Sequence, residues 1–237
     1  MSFKQTIKRI VPKQVHYLYN RLVSRKKIRE IYGDWFELDW KKQAFAADEK
    51  KWKEVYDRSW EHWTEQDLTP LDLKKIGSLV PDKVSVLDAG CGDGYLLQSL
   101  QGHGRTLTGI DLSELAIVKA GERLGEGVAL SAGNVERLPF ADKSFDVVVS
   151  AHTLEHVQNF EVAVSELIRV CKQRLIILVP SQEYLPYTED YHLQFFPHEE
   201  DLVKRIPLSN VKIECYTVEK GDGKYGGDVL LAVVELE

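Results

Sequence analysis

The residues best suited to chemistry begin at Asp88-Ala89-Gly90-Cys91-Gly92-Asp93-Gly94, which follows the β-branched run Val84 to Leu87 and precedes the helix-forming stretch Tyr95 to Leu100. Glycines at 90, 92 and 94 lack a Cβ, so the chain can turn sharply, adopt positive φ and let a ligand approach the main chain. Asp88 places an acceptor beside that ligand. A glycine-rich turn from strand into helix belongs to nucleotide binding, although several chemistries share it. The next apolar run ends at Gly109-Ile110-Asp111, seventeen positions after Gly94. A carboxylate there can take both ribose hydroxyls through its two oxygens, as in dinucleotide dehydrogenases.

A third segment narrows the choice. Ser131-Ala132-Gly133-Asn134-Val135-Glu136-Arg137-Leu138-Pro139-Phe140 is followed by Asp142, Ser144, Phe145 and Asp146, which lead into a further strand. With it the chain resembles the class I S-adenosylmethionine-dependent methyltransferases, most closely the branch of quinone-biosynthesis and small-molecule enzymes. The resemblance runs from about Val84 to Pro180 and more loosely to the C-terminus. Its carriers are Val86 to Gly94, Gly109 to Ser113, Gly133 to Phe140, and Thr153-Leu154-Glu155-His156-Val157. It implies S-adenosylmethionine (SAM) as cofactor and S-adenosylhomocysteine (SAH) as product. By the same resemblance, Asp88, Gly90, Cys91, Gly92 and Gly94 would hold the methionine part, Asp111 the ribose and Leu112 the adenine face. Most relatives have Asp where this chain has Asn134, whose amide oxygen would accept from the adenine amino group. Val135 would offer its backbone N–H to the ring.

Methyl transfer is an in-line displacement at a sulfonium carbon, so the protein mainly aligns the nucleophile and needs a base only for a poorly acidic acceptor. Candidate groups lie beyond the carboxyl ends of the strands: His152, Glu155 and His156 after the fourth, and Tyr184, Tyr187, Tyr191 and His192 after the fifth. Imidazole titrates nearest neutrality, which favours His156 and His192 as catalytic residues, with His152 beside them. A plainer role for Glu155 and His156 is to begin a helix, where the acid complements the dipole. Trp52, Tyr56, Trp60 and Trp63 recur at near-helical spacing. They suit either a core-facing stripe or an aromatic lid, in which Trp60 and Tyr56 would bind substrate together with Tyr187 and Tyr191.

These residues require a particular scaffold. Short β-branched runs at Val84 to Ala89, Thr106 to Ile110, Val128 to Ser131, Phe145 to Ser150 and Arg174 to Val179 alternate with helical segments near 94–101, 113–124 and 160–171. That alternation predicts an α/β fold with a doubly wound, parallel sheet. A short helix over His198 to Ile206 and two strands, Val211 to Glu219 and Val229 to Leu236, complete it; the last two are joined by a short loop and pair antiparallel. The family resemblance implies the same Rossmann-like, seven-stranded sheet with a terminal antiparallel pair. Residues 1–80 read as a basic arm and Trp-rich helical extension or lid, and residues 81–237 as the methyltransferase domain.

Composition bounds the remaining choices. The 237 residues are 43% hydrophobic and 29% charged, with a net charge of −6, which excludes disordered and collagen-like classes. No apolar run reaches the roughly 18 residues of a membrane span, and the basic N-terminus lacks the apolar core of a signal peptide, so the expected location is cytoplasmic. Cys91, Cys171 and Cys215 are widely spaced and suggest neither disulfides nor a zinc site, so no metal is expected. Residues 1–30 hold nine Lys or Arg and one acid. With Phe3, Ile7, Ile10, Leu18 and Leu22 among them, this arm suits peripheral contact with an anionic membrane and hence a lipid- or glycan-linked acceptor; docking on the acidic body fits equally. Nucleic acid is disfavoured, because the body has no basic stripe. Three functions remain: methyl transfer to O or N of a small or lipid-linked metabolite, a non-catalytic SAM-binding adaptor recruited through the arm, and a nicotinamide dehydrogenase that shares only the turn and the ribose acid.

Overall fold

A computed structural model describes residues 44–62, 68–184, 192–209, 212–218 and 228–236. The basic arm, Trp35, Trp40, Trp63, Tyr187, Tyr191 and the Lys220 to Gly227 loop lie outside the described residues. Helix α1 (Glu49–His62) buries Trp52, Val55 and Ser59, which fall on one face at intervals of three and four. Helix α2 (Pro70–Leu79) starts on a reciprocal cap. Thr69 Oγ1 accepts from Asp72 N, Asp72 Oδ2 accepts from Thr69 N, and Pro70 fills the first turn.

The α/β body then runs β1 (Ser85–Ala89), α3 (Tyr95–Leu100), β2 (Thr106–Asp111), α4 (Glu114–Leu124), β3 (Ala129–Ala132), β4 (Phe145–Ala151), α5 (Phe160–Val170), β5 (Cys171–Pro180), α6 (Glu199–Val203), β6 (Lys212–Val218) and β7 (Val229–Glu235). The seven strands lie in the order β3-β2-β1-β4-β5-β7-β6. Neighbours among β1 to β5 are parallel, and β7 runs antiparallel to both β5 and β6. The expected sheet and its terminal antiparallel pair are therefore present.

Both faces of the sheet are covered, which is why Leu175 to Val179 is apolar without alternation. Leu87, Val148, Leu175 and Ile177 pack against Phe160, Val164 and Leu167 of α5. Val86, Val147, Val149 and Ile176 pack on the other side with Leu97 and Leu100 of α3 and Ala120 of α4.

Two expected boundaries move by more than one residue. Strand β5 starts at Cys171 rather than Arg174, because Cys171 already pairs with Phe145 across an irregularity in β4. The helix expected over His198 to Ile206 shortens to Glu199–Val203, because Arg205 N and Ile206 N donate to Leu202 O and Val203 O in tighter turns ahead of Pro207. Helix α1 is tied to the body by its polar face. Asp57 Oδ1 accepts from Ser113 Oγ at 2.5 Å, Lys53 pairs with Glu114, and Lys119 donates to the Trp60 carbonyl. Among the described residues no helix is long and apolar enough to cross a membrane.

Candidate active site

At the carboxyl end of β1 the chain turns on glycines with φ of 86° at Gly90, 52° at Gly92 and 80° at Gly94, the last being the N-cap of α3. Gly90 N and Cys91 N both donate to Ile110 O, which binds the turn to the end of β2. Space as well as conformation demands glycine here. A Cβ at Gly90 would stand 2.1 Å from Thr153 Oγ1, and one at Gly92 would stand 2.9 Å from the Trp60 ring. Helix α1 thus lays Trp60 over the turn.

Two acids face this turn. Asp88 is buried and its Oδ2 has no hydrogen-bond partner. Burial, with the nearby Asp111 carboxylate, pushes its pKa up to about 8. Asp111 is also raised by burial, against the opposing effect of the N–H groups of Ser113 and Gly92, each 2.9 Å from one of its oxygens. Asp111 therefore braces the glycine turn while each carboxylate oxygen keeps further acceptor capacity. Burial, followed by Asp111, raises the Cys91 thiol well above its ordinary value, which disfavours the thiolate. At the end of β3, Asn134 Oδ1 accepts from Glu136 N at 2.8 Å, and its Nδ2 donates to Glu49 Oε2 of α1 at 3.2 Å.

After β4 comes a cluster of imidazoles around one carboxylate. His152 adopts φ 52°, an uncommon conformation for a residue with a side chain, and its Nδ1 lies 3.3 Å from Glu155 Oε1. Glu155 is 1% exposed and its Oε2 has no hydrogen-bond partner. His156 Nε2 lies 3.9 Å from Glu155 Oε1. The His156 ring packs edge-on against His192, with centroids 4.9 Å apart, and against Tyr56 at 6.0 Å. Burial pushes the Glu155 pKa up, but the hydrogen bond from His152 and the charges of His156, His152 and His192 outweigh it, so the net direction is down.

The expectation that Glu155 and His156 begin a helix is overturned: α5 starts at Phe160. The Glu155 carbonyl accepts instead from Leu193 N at 2.7 Å and Gln194 N at 2.9 Å. Those bonds carry His192 to the cluster, and Gln194 Nε2 anchors the same return by donating to Val157 O.

One cavity is lined by Asp88, Gly90, Cys91, Gly92, Asp111, Leu112, Asn134 and Val135, and also by Tyr56, Trp60, His152 and His156. Gly94 stands at the start of α3, His192 packs against His156, and Tyr184 is exposed against Phe195. Sequence reasoning missed Thr153, which fills the space beside Gly90, and Gln182, whose Oε1 bonds His192 Nδ1. Thr153 stands in the motif Thr153 to Val157, but its contact with Gly90 lies 63 positions away, and the Gln182 bond to His192 depends on how the chain returns after β5.

Residues 87–179 match the model of the methyltransferase domain family. Over this segment the chain is similar to methyltransferase domains. A protein of Mycolicibacterium smegmatis named "Probable S-adenosylmethionine-dependent methyltransferase" is 32% identical to the chain over 163 residues, covering 63% of each. The ubiquinone biosynthesis O-methyltransferase of Thiobacillus denitrificans is 34% identical over 136 residues, covering 54% of this chain and 59% of that protein. The chain spans from about a third to just under two thirds of the length of the curated relatives it matches. The methyltransferase fold is shared with the magnesium protoporphyrin IX methyltransferase of Synechocystis, solved with bound SAH. The TM-score is 0.61 at 16% identity, covering 80% of this chain and 100% of that one.

Proposed function

We propose that this protein transfers a methyl group from SAM to an oxygen or nitrogen atom of a small or lipid-linked metabolite, with SAH as product. One observation carries the reading: the buried, unpartnered Asp88 Oδ2 lines the same cavity as the glycine turn and Asp111. An acceptor left unpaired in a buried position is costly unless a donor arrives, and the α-ammonium of SAM is such a donor. The cofactor supplies an electrophilic methyl on a positively charged sulfur.

The residues divide the work by position. Asp88 and the turn at Gly90 and Gly92 receive the methionine end, Asp111 takes the ribose hydroxyls, and Leu112, Asn134 and Val135 enclose the adenine. Asn134 keeps one acceptor lone pair after its bond from Glu136 N, enough for an adenine amino group. Trp60 and Tyr56 form the wall contributed by α1, which excludes water and offers ring faces to a cationic centre. Tyr187 and Tyr191, outside the described residues, are proposed to add to the acceptor side of that wall. An acceptor proton leaves at the imidazole cluster, where His152 and His156 line the cavity and His192 backs His156.

Residues 1–80 act in this scheme as arm and lid to the domain over 81–237, and the basic arm provides contact with an anionic membrane surface. No comparison favours the adaptor reading, and the methyltransferase family match leaves the dehydrogenase reading without support.

Calorimetric titration of SAM and SAH into wild type and Asp111→Ala tests the proposal. Binding by wild type that is lost in the folded variant supports it, and methyl uptake by hydroxylated lipids, sugars or amines then finds the acceptor. Absence of binding to folded, ligand-free wild type overturns it.

A further inference from the structure

Glu155, His156 and His192 each present a ligand atom, and these atoms all lie within 4.8 Å of one another in a buried position. Two of the three follow β4, whereas the third returns 36 positions later on the segment after β5. The juxtaposition is built rather than incidental. The Glu155 carbonyl captures the N–H groups of Leu193 and Gln194, and Gln194 is held in turn by Val157 O and, at 3.0 Å, by Arg205 Nη2.

Three features of the trio match what a metal ion requires. Glu155 Oε2 is buried and has no hydrogen-bond partner, while its other oxygen faces His152 and His156, so one carboxylate oxygen is left unsatisfied beside the imidazoles. His192 Nδ1 faces Gln182 Oε1; with Nδ1 as the donor to that oxygen, the neutral ring presents its other nitrogen as the metal-binding one. A metal-binding histidine is oriented in this way, its second nitrogen donating to a neighbouring oxygen. His156 presents Nε2 towards Glu155 at 3.9 Å, while its ring meets His192 edge-on. Ligands of a tetrahedral ion with bonds of about 2.0–2.1 Å stand about 3.3 Å apart, so atoms that now lie within 4.8 Å of one another draw in by up to about 1.5 Å on binding.

We propose that Glu155, His156 and His192 form a binding site for a divalent transition cation of the Zn²⁺ type, beside the cofactor cavity. Two imidazoles and one carboxylate suit a borderline ion better than Mg²⁺ or Ca²⁺, which prefer oxygen. Three protein ligands leave at least one position for an exogenous oxygen, the arrangement of catalytic rather than structural zinc. His156 also lines the cavity, which puts that position within reach of an acceptor there.

The use of the ion rests on the methyltransferase reading. In the metal-bound form His156 and His192 serve as ligands in place of the base role proposed above, and an acceptor hydroxyl bound to the ion gives its proton to solvent at near-neutral pH. Its oxygen then bonds the methyl carbon as the C–S bond breaks, with that electron pair going to sulfur. The acceptor class is thus a hydroxyl compound that can bind a metal, such as a phenol with a second oxygen beside it. The cysteine spacing that spoke against zinc gave no view of this site, because its ligands are a glutamate and two histidines.

The test is titration of Zn²⁺ into full-length, chelator-stripped protein, with metal analysis and the visible spectrum of the Co²⁺ form. One Zn²⁺ per chain with Kd in the micromolar range or tighter is expected, unaffected by millimolar Mg²⁺. His192→Gln and Glu155→Gln should each weaken it by roughly 100-fold or more. Gln182→Leu should weaken it by about 10- to 100-fold through loss of orientation. His103→Gln, at an exposed histidine beside Asp82, should leave it unchanged. Equal zinc affinity in folded Glu155→Gln and His192→Gln proteins overturns the site. So does a wild type that binds no Zn²⁺ and gives no ligand-field absorption with Co²⁺, even if the variants fail to fold. SAM titrated into the same zinc-free protein keeps the two readings apart: lost SAM binding strikes the methyltransferase reading, and lost zinc binding only the metal site.

Discussion

Asp88→Asn removes the carboxylate whose protonation the cofactor site controls most directly. With its pKa pushed up to about 8 by burial and by Asp111, Asp88 is protonated in the ligand-free protein at neutral pH. An ammonium group arriving opposite Oδ2 favours the carboxylate and returns the group to its ordinary range. At pH 7 the free protein holds most of a proton on Asp88, so binding SAH releases up to about one proton from this residue. The ionised fraction rises about tenfold from pH 6 to pH 7, and affinity should rise by about the same factor. Calorimetry in buffers of low and high ionisation enthalpy reads the released proton as a slope, and the dissociation constants at the two pH values read the linkage. In Asp88→Asn the Asp88 share of both effects disappears. Affinity at pH 7 should then fall by roughly 10- to 100-fold, the worth of a charge-assisted hydrogen bond. The same raised pKa makes the ligand-free wild type lose stability as pH rises from about 4 to about 8, a decline that Asp88→Asn flattens. Equal buffer slopes and equal pH dependence in wild type and variant would refute the assignment of Asp88 to the ammonium.

Other consequences are simpler to measure. Gly90→Ala forces a Cβ onto Thr153 at φ 86°; it should lower stability by about 2 kcal/mol or more and abolish SAM binding, with Thr153→Ala recovering part of the stability in a thermal melt. Asp146 is held down at about 2 by the Ser85 N–H and hydroxyl and by Lys172, so its contribution is present above about pH 4 and lost as pH falls through 2. Asp146→Asn should therefore cost on the order of 1–2 kcal/mol at pH 7 and almost nothing at pH 2 in urea unfolding. Ser113→Ala removes both the cap on Ala116 N and the bond to Asp57; a loss of about 1–2 kcal/mol, with a higher KM for SAM as α1 loosens, is expected from melts and initial rates.

The glycine turn and Asp111 were legible because each sits where an apolar strand ends in glycine or an acid, whereas the segment at Asn134 was read through its resemblance to the methyltransferase family. Parallel order followed from the same alternation. Trp60 showed only helical spacing, which suits packing as well as function. Its position over Gly92 depends on how α1 docks, through Asp57 and Lys53, onto the start of α4. The helix expected at Glu155 failed for a comparable reason. Its backbone carbonyl is taken by Leu193 and Gln194, partners that no window around residue 155 contains.

By itself the sequence determined the strand and helix alternation, the nucleotide-binding turn and the residue types that can carry a cofactor, because periodicity and backbone permissiveness are properties of neighbouring residues. Only the tertiary structure decided which of the histidines meet, that Glu155 is enclosed among them without a partner for Oε2, and that Thr153 and Trp60 stand against the turn's glycines. Those are matters of distance between residues tens of positions apart. They are set by the return of the chain after β5 and the docking of α1, where a few long-range hydrogen bonds choose among placements that the local sequence leaves equal.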